Sequence, residues 1–195
     1  MRRLAPLLLL AALLPLRPTP VAAQQYDVGR IRTRLGEILF YLYPETPRHK
    51  ASFLKLAGAH YWDSLTFNRV IPNFVAQGGC PDTPEGFAGS PYNLAPEFVD
   101  SLRHVYGAVG AGRDDNPRKL SAGCQFYIVA NPAGLKRLDG NYVVFGQVFR
   151  GMDVVEAIVH APRDSTDAPL TPIPITVDVV KMTRDELAAW GFAPN

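Results

Sequence analysis

The chain has 195 residues and a formal charge of +2. Residues 1–23 carry Arg2, Arg3 and Arg17 and no acid, so seventeen basic face eighteen acidic side chains in the remainder. That near-neutral remainder gives no electrostatic reason to expect nucleic acid or an anionic membrane surface as partner.

Met1-Arg2-Arg3 is a positive start, and an apolar run follows from Leu4 to Leu16, interrupted by Pro6 and Pro15. Val21-Ala22-Ala23 before Gln24 is a small-residue cleavage pattern, so 1–23 reads as a secretory signal peptide cut after Ala23. The apolar run is shorter than the ~20 residues that span a bilayer. Residues 24–195 then form one domain, periplasmic or secreted, with no membrane contact after cleavage and expected as a monomer. This length suffices to bury a core.

Residues 28–43 alternate, with Ile31, Ile38, Phe40 and Leu42 set against Leu39, Tyr41 and Tyr43. Two strands with a tight turn near Arg34-Leu35-Gly36 are predicted. Thr46-Pro47 opens a helix, with threonine as N-cap and proline at its first position, and Phe53 and Leu56 face the core. Strands are predicted at Thr66–Val70, Phe74–Gln77, Gly107–Gly112, Gln125–Ala130 and Val143–Val148. Loops rich in Gly, Pro, Asp and Asn separate them at Pro81–Asn93, Arg113–Gly123 and Asn131–Asn141. A second helix begins at Gly151-Met152-Asp153, with Val154, Val155 and Ile158 buried. A proline-rich connector, Ala161–Pro174, leads to a last strand, Ile175–Met182. Thr183-Arg184-Asp185-Glu186 has the form of a capping box for a short terminal helix that Gly191 ends. Many short strands with two or three helices predict a closed antiparallel barrel with its ends plugged.

The segment from Phe67 to Gly79 sets one cation, Arg69, among Phe67, Val70, Ile71 and Phe74. Desolvating a charge is costly, so this arginine is either paired or aimed at a ligand. If Phe74 to Gln77 is extended, Val75 and Gln77 share one face. From spacing alone, a barrel strand with a surface arginine fits equally well.

Phe67–Gly79 resembles the F-H-R-[VI]-I-P-x-F-M-x-Q-G-G-D signature of cyclophilin-type peptidyl-prolyl cis-trans isomerases. Ser121–Ile128 is similar to the family's S-x-G-S-Q-F-F-I strand, and Leu138–Gly146 to its L-D-G-x-[HY]-x-V-F-G run. The likeness extends roughly from Ile31 to Met182. It implies a mainly β fold, an eight-stranded closed antiparallel barrel capped by two α-helices, here with a short extra C-terminal helix. It implies a catalytic role for Arg69 and Gln77. Gln77 and Gln125 match amides that bind substrate backbone and orient the arginine. Phe74, Val75, Tyr127, Leu138 and Tyr142 match the walls of a proline pocket, and Gly112 leaves room beside it for the residue before proline.

The chemistry fits these residue types. Resonance gives the C–N bond partial double-bond character and a rotation barrier of ~18–20 kcal/mol. No bond is made or broken, so no metal or cofactor is expected. An apolar slot for the ring and a donor to the pyramidalising proline nitrogen favour the twisted state over the planar one. Arginine stays charged and offers several donors in a fixed fork. The expected partners are proline-containing unfolded or extended polypeptides, with exported chains as the folding substrates. A non-catalytic proline-peptide binding module or holdase is the alternative, and retention of Arg69 favours the enzyme.

Departures from the family pattern are Asn68 for histidine, Val75 for methionine, and Arg137 where cyclosporin-sensitive members carry tryptophan. Weak cyclosporin binding is therefore expected. Gly110-Ala111-Gly112-Arg113 also differs from the common M-A-N-A-G run. Cys80 and Cys124 replace an aspartate and a serine next to the two glutamine-bearing strands, which lie close in the family's barrel. That placement implies a disulfide stapling the groove, with free thiols as the other reading. Two cysteines this far apart argue against a redox-active dithiol, and without neighbouring histidines they are too few for zinc. His49, His60, His104 and His160 share no metal-ligand spacing and are expected on the surface or in helices; His104, before the edge strand, could approach the groove but is not assigned to it.

Overall fold

A computed structural model describes residues 24–83 and 85–194. The signal-peptide reading of 1–23 lies outside the described residues. The elements in chain order are β1 (Gln25–Thr33), β2 (Gly36–Leu42), α1 (Pro47–Gly58), β3 (Thr66–Ile71), β4 (Val75–Gly79), β5 (Asn93–Leu94), β6 (Ala108–Ala111), β7 (Ser121–Ala122), β8 (Gln125–Val129), β9 (Val144–Arg150), α2 (Met152–Val159), β10 (Ile173–Pro174), β11 (Thr176–Thr183) and α3 (Arg184–Ala189).

Nine strands form one antiparallel sheet in the order β10-β3-β4-β8-β6-β9-β2-β1-β11, and β5 pairs separately with β7. The sheet curls into a half-barrel. It differs from the closed eight-stranded barrel expected, because no ladder joins its two edge strands. Those edges, β10 and β11, are successive in the chain with only Ile175 between them, and Ile175 N–H donates to Leu65 O at 2.9 Å. One continuous segment therefore leaves β3 and joins β1, so the gap is bridged covalently. The connector reading hid β10, since two residues ending in proline carry no strand period.

Inside the curl, Phe40, Phe53, Trp62, Phe67, Phe126 and Phe145 pack with Ile38, Val155 and Ile158 from the hairpin and α2. The rings meet mostly edge-on or tilted, as Phe40 on Phe53 at 5.2 Å and Phe67 on Phe126 at 5.8 Å. Burial of each such side chain contributes about 1.5–3 kcal/mol.

The start of α1 departs from expectation. Thr46 makes no side-chain cap; its hydroxyl turns back to Tyr43 O. Glu97, from the loop after β5, accepts from the backbone N–H of Arg48 and His49 instead. A carboxylate there satisfies orphan donors and meets the positive end of the helix dipole. The predicted box at α3 is present: Thr183 Oγ1 accepts from Glu186 N–H, and Glu186 accepts from Thr183 N–H at 2.7 Å. Leu187 of α3 is fully buried against Tyr26, Val28, Leu39 and Tyr41 on the outer face of β1 and β2.

Candidate active site

Strands β3, β4, β8 and β6 build a groove on the outer face of the sheet. In β8 the side chains alternate, with Phe126 and Ile128 in the interior and Tyr127 and Val129 in a second apolar cluster outside it. In β4, Ala76 points inward while Val75 and Gln77 line the groove, as their spacing predicted.

β3 needs an additional device. A strict period of two would put Phe67 and Arg69 on the same face. The register between β3 and β4 shifts between Phe67 and Arg69, so Asn68 is a bulge. Phe67 and Val70, three residues apart, are both buried in the core, and Arg69 between them turns out to the groove. Bulges commonly re-aim a side chain beside a site. Asn68 Nδ2 donates to Gly79 O at 3.1 Å and fixes the distortion.

The groove holds a cavity of about 340 Å³ lined by Arg69, Phe74, Val75, Gln77, Gly112, Gln125, Tyr127, Leu138 and Tyr142. All nine residues proposed from sequence thus meet at one place. Asp82, Arg113 and Arg137 also line it. Asp82 and Arg113 come from loops without periodicity, so no sequence pattern marked them as part of the site.

Apolar and polar groups divide the cavity. Val75, Tyr127 and Leu138 are buried in one cluster, with Phe74 and Tyr142 partly buried against it. The Tyr127 and Tyr142 rings meet edge-on at 6.1 Å. The Arg69 guanidinium lies 5.7 Å from the Phe74 ring centre. Among the described residues it has no ion-pair partner and no protein hydrogen bond.

The glutamines do not hold Arg69 directly. Gln77 stands opposite it in the β3–β4 register but makes no hydrogen bond to it. Gln125 Nε2 donates to Cys80 O at 3.0 Å and to Asp82 Oδ1 at 2.9 Å. Orientation of the arginine by an amide is therefore replaced here by the bulge and the Phe74 ring.

Two glycines of the β6 segment make the groove possible. A Cβ on Gly110 would come within 2.2 Å of the Tyr127 ring, and one on Gly112 within 2.0 Å of Gln125 Oε1. The space over Gly112 thus belongs first to the Gln125 amide, rather than to substrate as the resemblance implied.

His104 is buried beneath the site, contrary to the surface or helical placement expected. Its Nδ1 lies 2.8 Å from Asp139 Oδ1, and its Nε2 lies 2.8 Å from the Tyr127 hydroxyl. A carboxylate only accepts, so Nδ1 carries a proton; in a neutral ring Nε2 then accepts from Tyr127. Burial lowers the His104 pKa, outweighing the pull of Asp139. Burial raises the Tyr127 phenol well above its usual range. At Asp139 burial works upward, but hydrogen bonds from His104 backbone and ring prevail and hold the carboxyl low.

Cys80 and Cys124 are joined by a disulfide, with Cα atoms 5.5 Å apart. It spans the end of the β4–β8 ladder beside the Gly79–Gln125 pair. Among the described residues no cluster of three or more potential ligands could hold a metal ion.

The model for cyclophilin type peptidyl-prolyl cis-trans isomerases matches residues 28–179. Over 149 residues the chain is 34% identical to peptidyl-prolyl cis-trans isomerase ppi1 of Schizosaccharomyces pombe, covering 74% of this chain and 93% of that one. Peptidyl-prolyl cis-trans isomerase B of Bacillus subtilis is 42% identical over 119 residues, 60% of this chain and 80% of its own. A crystal structure of a cyclophilin type isomerase from Cryptosporidium parvum superposes with a TM-score of 0.68 at 25% identity, covering 81% of this chain and 98% of that one. A groove of this make-up on a curled antiparallel sheet defines a proline-directed isomerase. The chain belongs to the cyclophilin-type peptidyl-prolyl cis-trans isomerase family, and it acts on proline-containing polypeptides.

Proposed function

We propose that the protein accelerates X–Pro rotation in exported polypeptides during folding, with Arg69 as the catalytic donor. The observation that carries this reading is a guanidinium without a partner charge among the described residues, turned by the Asn68 bulge into a cavity whose apolar side is formed by Phe74, Val75, Tyr127, Leu138 and Tyr142. The proline ring sits against Phe74, Val75, Tyr127, Leu138 and Tyr142. Gln77 and Gln125 hold the peptide backbone on either side.

As the amide twists, resonance is lost and the proline nitrogen gains a lone pair. Arg69 donates to it then and much less in the planar state. A contact made mainly in the transition state lowers the barrier without tightening the ground state. Unaided exchange takes ~10–100 s, so modest barrier lowering already matters to a folding chain.

A periplasmic or secreted location rests on the apolar, cationic leader at 1–23 and on the disulfide, since such bonds persist in oxidising compartments. A protease-coupled isomerisation assay tests the catalytic role. Arg69→Ala should lose most of its kcat/KM while keeping the wild-type circular dichroism, and unchanged turnover removes the assignment. Localisation is tested by fractionation: mature protein beginning at Gln24 outside the cytoplasm supports export, and an uncleaved cytoplasmic chain opposes it.

A further inference from the structure

Three of the residues lining the groove are arginines, Arg69, Arg113 and Arg137, against one carboxylate, Asp82. The excess is local, because the domain from residue 24 onward is close to neutral. Catalysis accounts for one of these cations. The other two have no assigned task.

Arg113 is held in place. Its Nε donates to Asn141 O at 3.1 Å, its Nη2 to Asn141 Oδ1 at 2.9 Å, and its Nη1 to Asp114 O at 2.8 Å. Its guanidinium stacks 4.6 Å from the Tyr142 ring centre. Every anchor is a neutral oxygen or a ring, so the guanidinium is fixed without a salt bridge; the neighbouring Asp114 carboxylate feels its charge but is hydrogen-bonded to Phe87 N–H and Asn116 instead. Arg137 lies on another wall, 4.9 Å from the Phe74 ring whose other guanidinium neighbour is Arg69. No carboxylate pairs with any of the three among the described residues. Asp82 is engaged by Gln125, and Asp139 nearby is taken up by His104 and Arg103.

Like charges around one hollow raise its potential and attract an anion into it. Guanidinium is also matched to carboxylate by its fork of donors. We propose that Arg113 and Arg137 are specificity-determining residues that select X–Pro sites with a glutamate or aspartate next to the proline. This selectivity rests on the isomerase reading and adds to it a substrate class.

The test uses acetylated, amidated tetrapeptides Ala-Xaa-Pro-Ala and Ala-Ala-Pro-Xaa, with Xaa glutamate, alanine or lysine, and exchange rates measured by NMR with the wild-type protein. At low ionic strength a glutamate peptide should be turned over about tenfold faster, as kcat/KM, than its lysine counterpart, the effect expected of one or two partly screened charges at contact distance. The ratio should shrink toward one in 0.5 M salt, where screening acts within a few ångströms. Arg113→Gln or Arg137→Gln should each reduce it, and Arg34→Gln, exposed in the β1–β2 turn, should not.

Equal rates for glutamate and lysine at both positions overturn the proposal, as does a preference that survives both arginine substitutions. Either result would leave turnover of the alanine peptides intact. Absence of turnover on every peptide would instead contradict the isomerase reading itself.

Discussion

The Tyr127 and His104 rings lie 13° from parallel with centroids 6.0 Å apart, joined end to end by a 2.8 Å hydrogen bond between the phenol and Nε2. The pocket wall is thus tied through His104 to Asp139, with the phenol as donor while the imidazole is neutral.

His49 repeats the arrangement elsewhere. Its Nδ1 meets Glu97 at 2.6 Å and its Nε2 meets Ser121 Oγ at 3.0 Å. Burial depresses both histidines from the ordinary 6.5, prevailing over their carboxylate partners. A lowered folded-state pKa means the unfolded chain binds protons first, so stability falls as pH drops below about 6.5. Two linked protons give a slope of up to ~2.7 kcal/mol per pH unit. The urea midpoint should therefore fall between pH 7 and pH 5. An unchanged midpoint contradicts the neutral, buried assignment.

Gly112 is the position most sensitive to added bulk without loss of fold. Gly112→Ala must displace the Gln125 amide from Cys80 O and Asp82, because the two cannot share the space. The neighbour that moves is mostly the end of a side chain, so the fold should survive. Losing the placement of one neutral hydrogen-bonding group costs ~0.5–1.5 kcal/mol, or about two- to twelvefold in KM. Steady-state kinetics showing an unaltered KM would remove Gln125 from substrate binding.

Much of this site is legible as alternation. Val75 with Gln77, and Gln125 with Tyr127, follow from the period of two, which puts alternate side chains of a strand on one face. What the sequence does not show is where the period breaks. Asn68 as a bulge leaves no mark in composition, yet it decides which way Arg69 faces. His104 lacks any periodic context, and its burial depends on Asp139 and Tyr127, distant in sequence. The edge strand β10 is equally hidden, since two residues ending in proline carry no period, whereas β11 matches the predicted last strand closely.

The disulfide closes a separation of 44 residues. The loop-entropy account assigns a crosslink of this span ~4 kcal/mol, with measured gains often smaller. Reductant should lower the urea midpoint of the native protein and leave that of a Cys80→Ala, Cys124→Ala double variant unmoved. Recovery of two alkylatable thiols from unreduced protein would contradict the bond.

The central claim is that Arg69 acts on the twisted amide and little on the resting peptide. NMR exchange on an Ala-Ala-Pro-Phe peptide, with Kd measured on the same samples, separates the two. Arg69→Ala should leave Kd little changed while catalysed exchange at saturating protein falls ~10²–10³-fold, the scale of losing one transition-state donor. Undiminished exchange at saturation, or a loss wholly accounted for by weaker binding, would contradict it.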